Sequence, residues 1–287
     1  MDRHVASLFP RLKFSRRAFV ATSITAGFTL AAGPLVAETI IKTDTKGLTV
    51  GDIKIPAPDG TIGGYRAMPA KGGPFPVVLV VMEVFGLHEH IKDICRRLAK
   101  IGYMGVAPDL YARQGDLLHQ TDVKEIIKIV LAKPDSQLMS DLDATAAWAK
   151  ASGQGDTAKL GITGFCNGGR TVWLYAAHNP ALKAAVAWYG PLDGQPTANR
   201  PESVLEMVGD VKAPVLGLYG GADPGIPMAQ IDRLKAKLTA DNKPCEIVVY
   251  PDTPHAFNAD YRPSYRKGPA EDGWKRMRAW LRQHGVA

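Results

Sequence analysis

The sequence is short of cysteine. Its 287 residues hold three, Cys95, Cys166 and Cys245, with no CxxC pair and no Cys/His cluster at zinc spacing. A structural metal is therefore not expected. A Cys95–Cys245 disulfide stays open and would leave Cys166 as the odd thiol. Also missing is any Lys/Arg-rich run with interleaved aromatics, which sets nucleic acid aside as a partner. No internal repeat occurs, and no linker divides the chain, which argues against a solenoid or two separate domains. The net charge of +7 is less informative than it looks, because Arg3, Arg11, Lys13, Arg16 and Arg17 stand against Asp2 alone in residues 1–37. Net charge by itself does not argue for a membrane or an acidic partner. What remains is ordinary globular composition, 46% hydrophobic and 22% charged, enough for one sizeable α/β domain.

The first segment has the pattern of a targeting signal. Ser15-Arg16-Arg17-Ala18-Phe19-Val20 is a twin-arginine pattern. The stretch from Ala18 to Val36 that follows is interrupted by Thr22, Ser23, Thr25, Gly27 and Gly33. It is weakly apolar for a stable membrane anchor. Ala37 before Glu38 marks the expected cleavage point. Residues 1–37 thus read as a twin-arginine signal peptide and 38–287 as the mature domain. The precursor's expected partner is the twin-arginine export machinery, and the expected location is the bacterial periplasm.

Leu48–Ile55 and Thr61–Met68 read as strands joined through the Pro56–Gly60 turn, a hairpin. Pro76–Met82 is a continuous apolar run suited to a central parallel strand. Ile91, Ile94, Cys95, Leu98 and Ile101 share one face of a helix. Tyr103–Ala107 is a strand, Val123–Ala132 and Leu138–Ala151 are helices, and Leu160–Thr163 is a short buried strand. Further strands fall at Lys183–Tyr189, Pro214–Tyr219 and Cys245–Tyr250, with helices at Met228–Thr239 and Gly268–His284. Gly194–Pro201 is irregular. Such alternation predicts a mostly parallel sheet with helices on both faces.

The chain is organised around Gly164-Phe165-Cys166-Asn167-Gly168-Gly169. A G-x-C-x-G between a strand and a helix is the setting of a nucleophile elbow. The glycines admit a tight turn, and the helix N-terminus favours a thiolate over a thiol. Ligand sites of parallel sheets lie beyond the carboxyl ends of the strands. Cys166, Asp223 and His255 all fall there, in the chain order nucleophile, acid, histidine that α/β-hydrolases show. The implied roles are attack by Cys166, proton management by His255 and orientation of the imidazole by Asp223. Singly, Asp223 also reads as a turn residue and His255 as a surface histidine; the coincidence of three favours chemistry. Backbone N–H groups of Asn167 and Val84 are the expected oxyanion donors.

Five stretches together resemble the dienelactone hydrolase (carboxymethylenebutenolidase) family. They are Met82-Glu83-Val84-Phe85-Gly86, Ala107–Arg113, Gly164–Gly169, Asp223-Pro224-Gly225-Ile226-Pro227 and Tyr250–Phe257. The resemblance runs from about residue 50 to the C-terminus. It implies an α/β-hydrolase fold, no cofactor and no metal, and an activity that opens a dienelactone to maleylacetate. It also implies that Glu83 contacts the nucleophile and takes the thiol proton when substrate arrives. Arg113 matches one family arginine that binds the substrate carboxylate, beside Tyr111. The second family arginine falls at Ala259, with Arg262 the nearest cation able to replace it. The expected partner is thus a small lactone or ester. A broad periplasmic carboxylesterase is the first alternative, favoured by the export signal. A non-catalytic thiol sensor or binding protein is the second.

Overall fold

A computed structural model describes residues 40–287. The twin-arginine segment and the expected cut after Ala37 lie outside the described residues. The strands are β1 (Leu48–Ala57), β2 (Gly60–Pro69), β3 (Phe75–Val81), β4 (Met104–Pro108), β5 (Gly155–Phe165), β6 (Ala184–Trp188), β7 (Val215–Gly220) and β8 (Cys245–Tyr250). They make one sheet in the order β1-β2-β4-β3-β5-β6-β7-β8. The β1–β2 hairpin and the β2–β4 pair are antiparallel, and every pairing beyond β4 is parallel.

The apolar run in β3 explains its central place. Val77 to Val81 are each at most 1% exposed, which needs cover on both faces of the sheet. That cover comes from α1 (Glu89–Lys100), α2 (Val123–Ala132), α3 (Asp135–Ala151), α4 (Asn167–His178), α5 (Val204–Met207), α6 (Met228–Ala240) and α7 (Lys267–Gln283). On α1 the predicted apolar face is buried through Ile91, Ile94, Cys95 and Leu98. At the start of α2 the Asp122 carboxylate accepts the Lys124 N–H at 2.9 Å, satisfying a helix-terminal donor. Among the described residues no helix is long and apolar enough to cross a membrane.

Two element starts differ from the sequence reading by three residues or more, and one short helix has no counterpart in it. β5 begins at Gly155 rather than Leu160, because Gly155 and Asp156 pair with Phe75 and Pro76 before a register shift at Pro76/Val77. That leading stretch is polar and carries no apolar alternation. α3 begins directly after Pro134, whose fixed φ of −66° ends the preceding segment and admits a helix behind it. The short α5 after the irregular stretch was too brief to leave a periodic signature. The open disulfide is also resolved: Cys95 and Cys245 are free thiols. One sits on α1, over β2 and β4, and the other on β8 at the far edge of the sheet. Burial pushes the Cys245 thiol up to about 11.

The lead-in to β1 is clipped onto α1. Thr43 donates to Asp93 through its N–H at 2.7 Å and its hydroxyl at 3.2 Å. Lys100 donates to Asp44 at 2.7 Å and to the Lys46 carbonyl at 2.8 Å.

Candidate active site

β5 runs into α4 at Cys166, whose φ of 55° and ψ of −120° are those of a strained turn. The neighbouring glycines are required by close backbone approach. A Cβ on Gly164 would lie 2.4 Å from the Gly168 carbonyl oxygen, and one on Gly168 would lie 2.4 Å from that of Val81. The Cys166 N–H donates to the Trp188 carbonyl at 3.0 Å, tying the turn to β6. The nucleophile candidate is thus held by backbone on both sides while its side chain is only 3% exposed.

Asp223 and His255 follow the ends of β7 and β8. Their side chains meet at 2.6 Å, Asp223 Oδ2 to His255 Nδ1. The other carboxylate oxygen accepts the Gly225 N–H at 2.8 Å, which fixes its plane. His255 is 1% exposed and its Nε2 has no hydrogen-bond partner. Burial opposes a charged ring, yet the carboxylate of Asp223 and then the sulfur of Cys166 outweigh it and lift the imidazole well above its usual value. The Tyr189 ring stands edge-on to His255, centroids 5.1 Å apart.

A cavity of about 380 Å³ opens beside the elbow. Cys166, Val84 and Asn167 all line it. Neither the Val84 nor the Asn167 backbone N–H has a hydrogen-bond acceptor among the described residues, as an oxyanion hole requires. The rest of the wall comes from α2, from Arg170 of α4 and from residues 191–204.

Glu83 is buried directly after β3, 1% exposed. Tyr261 donates its hydroxyl to Glu83 Oε2 at 2.6 Å, and His88 Nε2 stands 3.8 Å from the same oxygen. Burial opposes the charge, but His88 and then the Arg262 guanidinium prevail and hold the carboxyl well below the usual range. Oε1 has no partner. No hydrogen bond joins Glu83 to Cys166 among the described residues. Two histidines that sequence reasoning left out, His88 and His90, build this cluster with Tyr261, whose ring centroid is 5.1 Å from each imidazole.

The predicted substrate-binding residues separate. Arg113 does not line the cavity, because its guanidinium is held by Asp59 and Asp141. Asp141 also holds the buried Lys133. Tyr111 is 1% exposed and its hydroxyl accepts the Asn167 side-chain amide at 2.6 Å. It supports the residue after the nucleophile instead of facing the cavity. Arg262 is buried, with its guanidinium 4.3 Å from the Phe85 ring centroid and 5.2 Å from that of Tyr261. It acts on Glu83 and Cys166 through charge. The cations that do line the cavity are Arg170 and Arg200; Arg200 donates to Asn167 Oδ1 at 3.2 Å and to the Val130 carbonyl at 3.1 Å. Nothing in the irregular sequence around it announced that position.

Residues 62–285 match the model of the dienelactone hydrolase family. The chain belongs to that family. A protein of Methylorubrum extorquens named "Putative carboxymethylenebutenolidase" is 59% identical over 287 residues, covering 100% of this chain and 99% of that one. One of the same name from Escherichia coli is 51% identical, covering 93% and 98%. A Klebsiella pneumoniae crystal structure titled as a putative dienelactone hydrolase superposes with a TM-score of 0.80 at 50% identity, over 82% of this chain and 99% of that one. The mostly parallel sheet is that of an α/β-hydrolase, and membership makes this dienelactone hydrolase relative a carboxylic ester hydrolase. In such a fold a thiol at the elbow, an imidazole with one free nitrogen and two unpaired backbone donors can carry acyl transfer to water.

Proposed function

We propose that the protein hydrolyses a small lactone or ester by covalent catalysis through Cys166, His255 and Asp223. The observation that carries this reading is the 2.6 Å Asp223–His255 pair, with Nε2 unpartnered and Cys166 acting on the ring. The Cys166 sulfur bonds to the carbonyl carbon as the carbonyl oxygen gathers charge against the Val84 and Asn167 N–H groups. The carbon–oxygen bond to the alcohol then breaks, and the departing oxygen takes the proton from His255 Nε2. Water attacks the thioester, gives one proton to His255 and leaves the acid. The thiolate departs and takes back the proton held by Glu83, which restores the thiol and the carboxylate of the resting state.

Glu83 is the proposed acceptor of the thiol proton. In the resting cluster its carboxyl is held well below the usual range, which makes it a poor base. A substrate anion that draws Arg262 away removes one cause of that depression and turns Glu83 into a better one. The family's name and those of the relatives support a dienelactone, a carboxymethylenebutenolide, as the substrate, and maleylacetate is the proposed product. The engagement of Arg113 by Asp59 and Asp141 favours a second reading, a broader esterase that does not use Arg113 for a substrate carboxylate. The test is turnover of cis-dienelactone beside p-nitrophenyl acetate by a chain starting at residue 38, each with Cys166→Ala as control. Cysteine-dependent preference for the lactone supports the first reading and turnover of the ester alone supports the second. Export to the periplasm is proposed from the twin-arginine pattern, and fractionation of cells carrying Arg16→Lys with Arg17→Lys tests it.

A further inference from the structure

The cavity has a feature that the reaction alone does not account for. Cys166 and both oxyanion donors line it, but His255 does not. A leaving oxygen must reach His255 Nε2 to be protonated, so the alcohol side of a bound ester lies away from this space. What extends into the cavity is attached to the other side of the carbonyl carbon. The wall met there is largely apolar, with Ile127, Val130 and Leu131 of α2 facing Leu192 and Val204. Its two arginines are engaged by protein acceptors. Arg170 is gripped by both oxygens of Asp135 at 2.7 and 2.8 Å, and by the Glu202 carbonyl at 2.9 Å. Arg200 spans the Asn167 side chain and the Val130 carbonyl.

We infer that this cavity is an acyl subsite for an apolar limb of the substrate, a short aliphatic or unsaturated chain borne on the carbonyl carbon that Cys166 attacks. The inference rests on the proposed cysteine mechanism and adds a substrate class to it. At about 30 Å³ for each water-sized volume the space holds on the order of a dozen non-hydrogen atoms, which suits a chain of about six carbons with its ester group. Arg200 is a positioning residue here. It ties the end of α2, through Val130, to Asn167 beside the nucleophile, so the apolar wall and the oxyanion hole move as one piece.

The experiment is a series of p-nitrophenyl esters from acetate to hexanoate, run beside a series of acetates of alcohols of rising length. Wild-type kcat/KM should rise by about fourfold for each methylene buried on the acyl side and stay flat on the alcohol side. Leu131→Trp and Ile127→Trp fill the cavity from positions that are exposed and half-buried, so both should fold. Each should flatten the acyl series, bringing the hexanoate kcat/KM down to that of acetate in the same variant. A flat acyl series in the wild type, a rise confined to the alcohol side, or a rise that survives both tryptophans would overturn the subsite and leave the mechanism standing. Acetate turnover that persists in Cys166→Ala would instead overturn the mechanism on which it rests.

Discussion

Two buried carboxylates flank the elbow, and they are held in opposite ways. Asp223 has one imidazole at 2.6 Å and one backbone N–H at 2.8 Å, a closed arrangement with a single geometry. Glu83 shares one oxygen between the Tyr261 hydroxyl and the more distant His88, and its second oxygen is unpartnered. The first pair is built to keep one tautomer through the reaction. The second is built from longer-range charge and one hydrogen bond, so a modest change in its surroundings alters it. A site that must stay inert until substrate arrives needs both kinds of holding, one rigid and one responsive.

Substitutions should separate the two. Asp223→Asn should have the largest effect, a loss of about 10⁴-fold in kcat with the fold retained, read by steady-state kinetics beside a thermal melt. A loss below tenfold would erase the contrast. Glu83→Gln should cost about 10²-fold in kcat, the lower end for a proton-transfer group, and acylation measured in a single turnover should account for the loss. Tyr261→Phe leaves the carboxylate short of its closest donor, and should lower stability by about 1–3 kcal/mol in urea unfolding. His88→Asn should change kcat by only a few fold, since 3.8 Å is too long for a full hydrogen bond. A larger effect than that of Tyr261→Phe would reverse the ranking inside the cluster.

Acid and alkali should also tell the two regions apart. The Glu83 carboxyl is depressed in the folded protein from its ordinary 4.5. Its contribution to stability is therefore complete above about 4.5 and is lost as pH falls toward the depressed value. The His255 ring is raised from its ordinary 6.5. Its contribution is complete below about 6.5 and is lost as pH rises through the elevated value. Melting temperature against pH should thus slope on both sides, with Glu83→Gln flattening the acid limb and Asp223→Asn the alkaline one.

The rigid half was the legible half. Cys166, Asp223 and His255 each follow a strand that announces itself by an apolar run, so chain order alone brought them to one edge of the sheet. The same logic gave Val84 and Asn167, since the donor each offers is a backbone N–H placed by the end of a strand. The responsive half was harder to read, because Tyr261 and His88 are far apart in sequence and meet Glu83 only through the tertiary fold. Arg113 illustrates the limit of reading by match. Its position fits the pattern, but two acidic partners, Asp59 from the hairpin turn and Asp141 from α3, claim the guanidinium. Arg200 shows the converse, a cavity residue on an irregular loop with no periodicity to mark it.

The clip at Thr43, Asp44 and Lys46 fastens the stretch ahead of β1 to α1. Each of those bonds is made by residues downstream of position 38. A segment with no secondary structure of its own thus works as a tether, holding the hairpin at the sheet's edge and the first helix to each other.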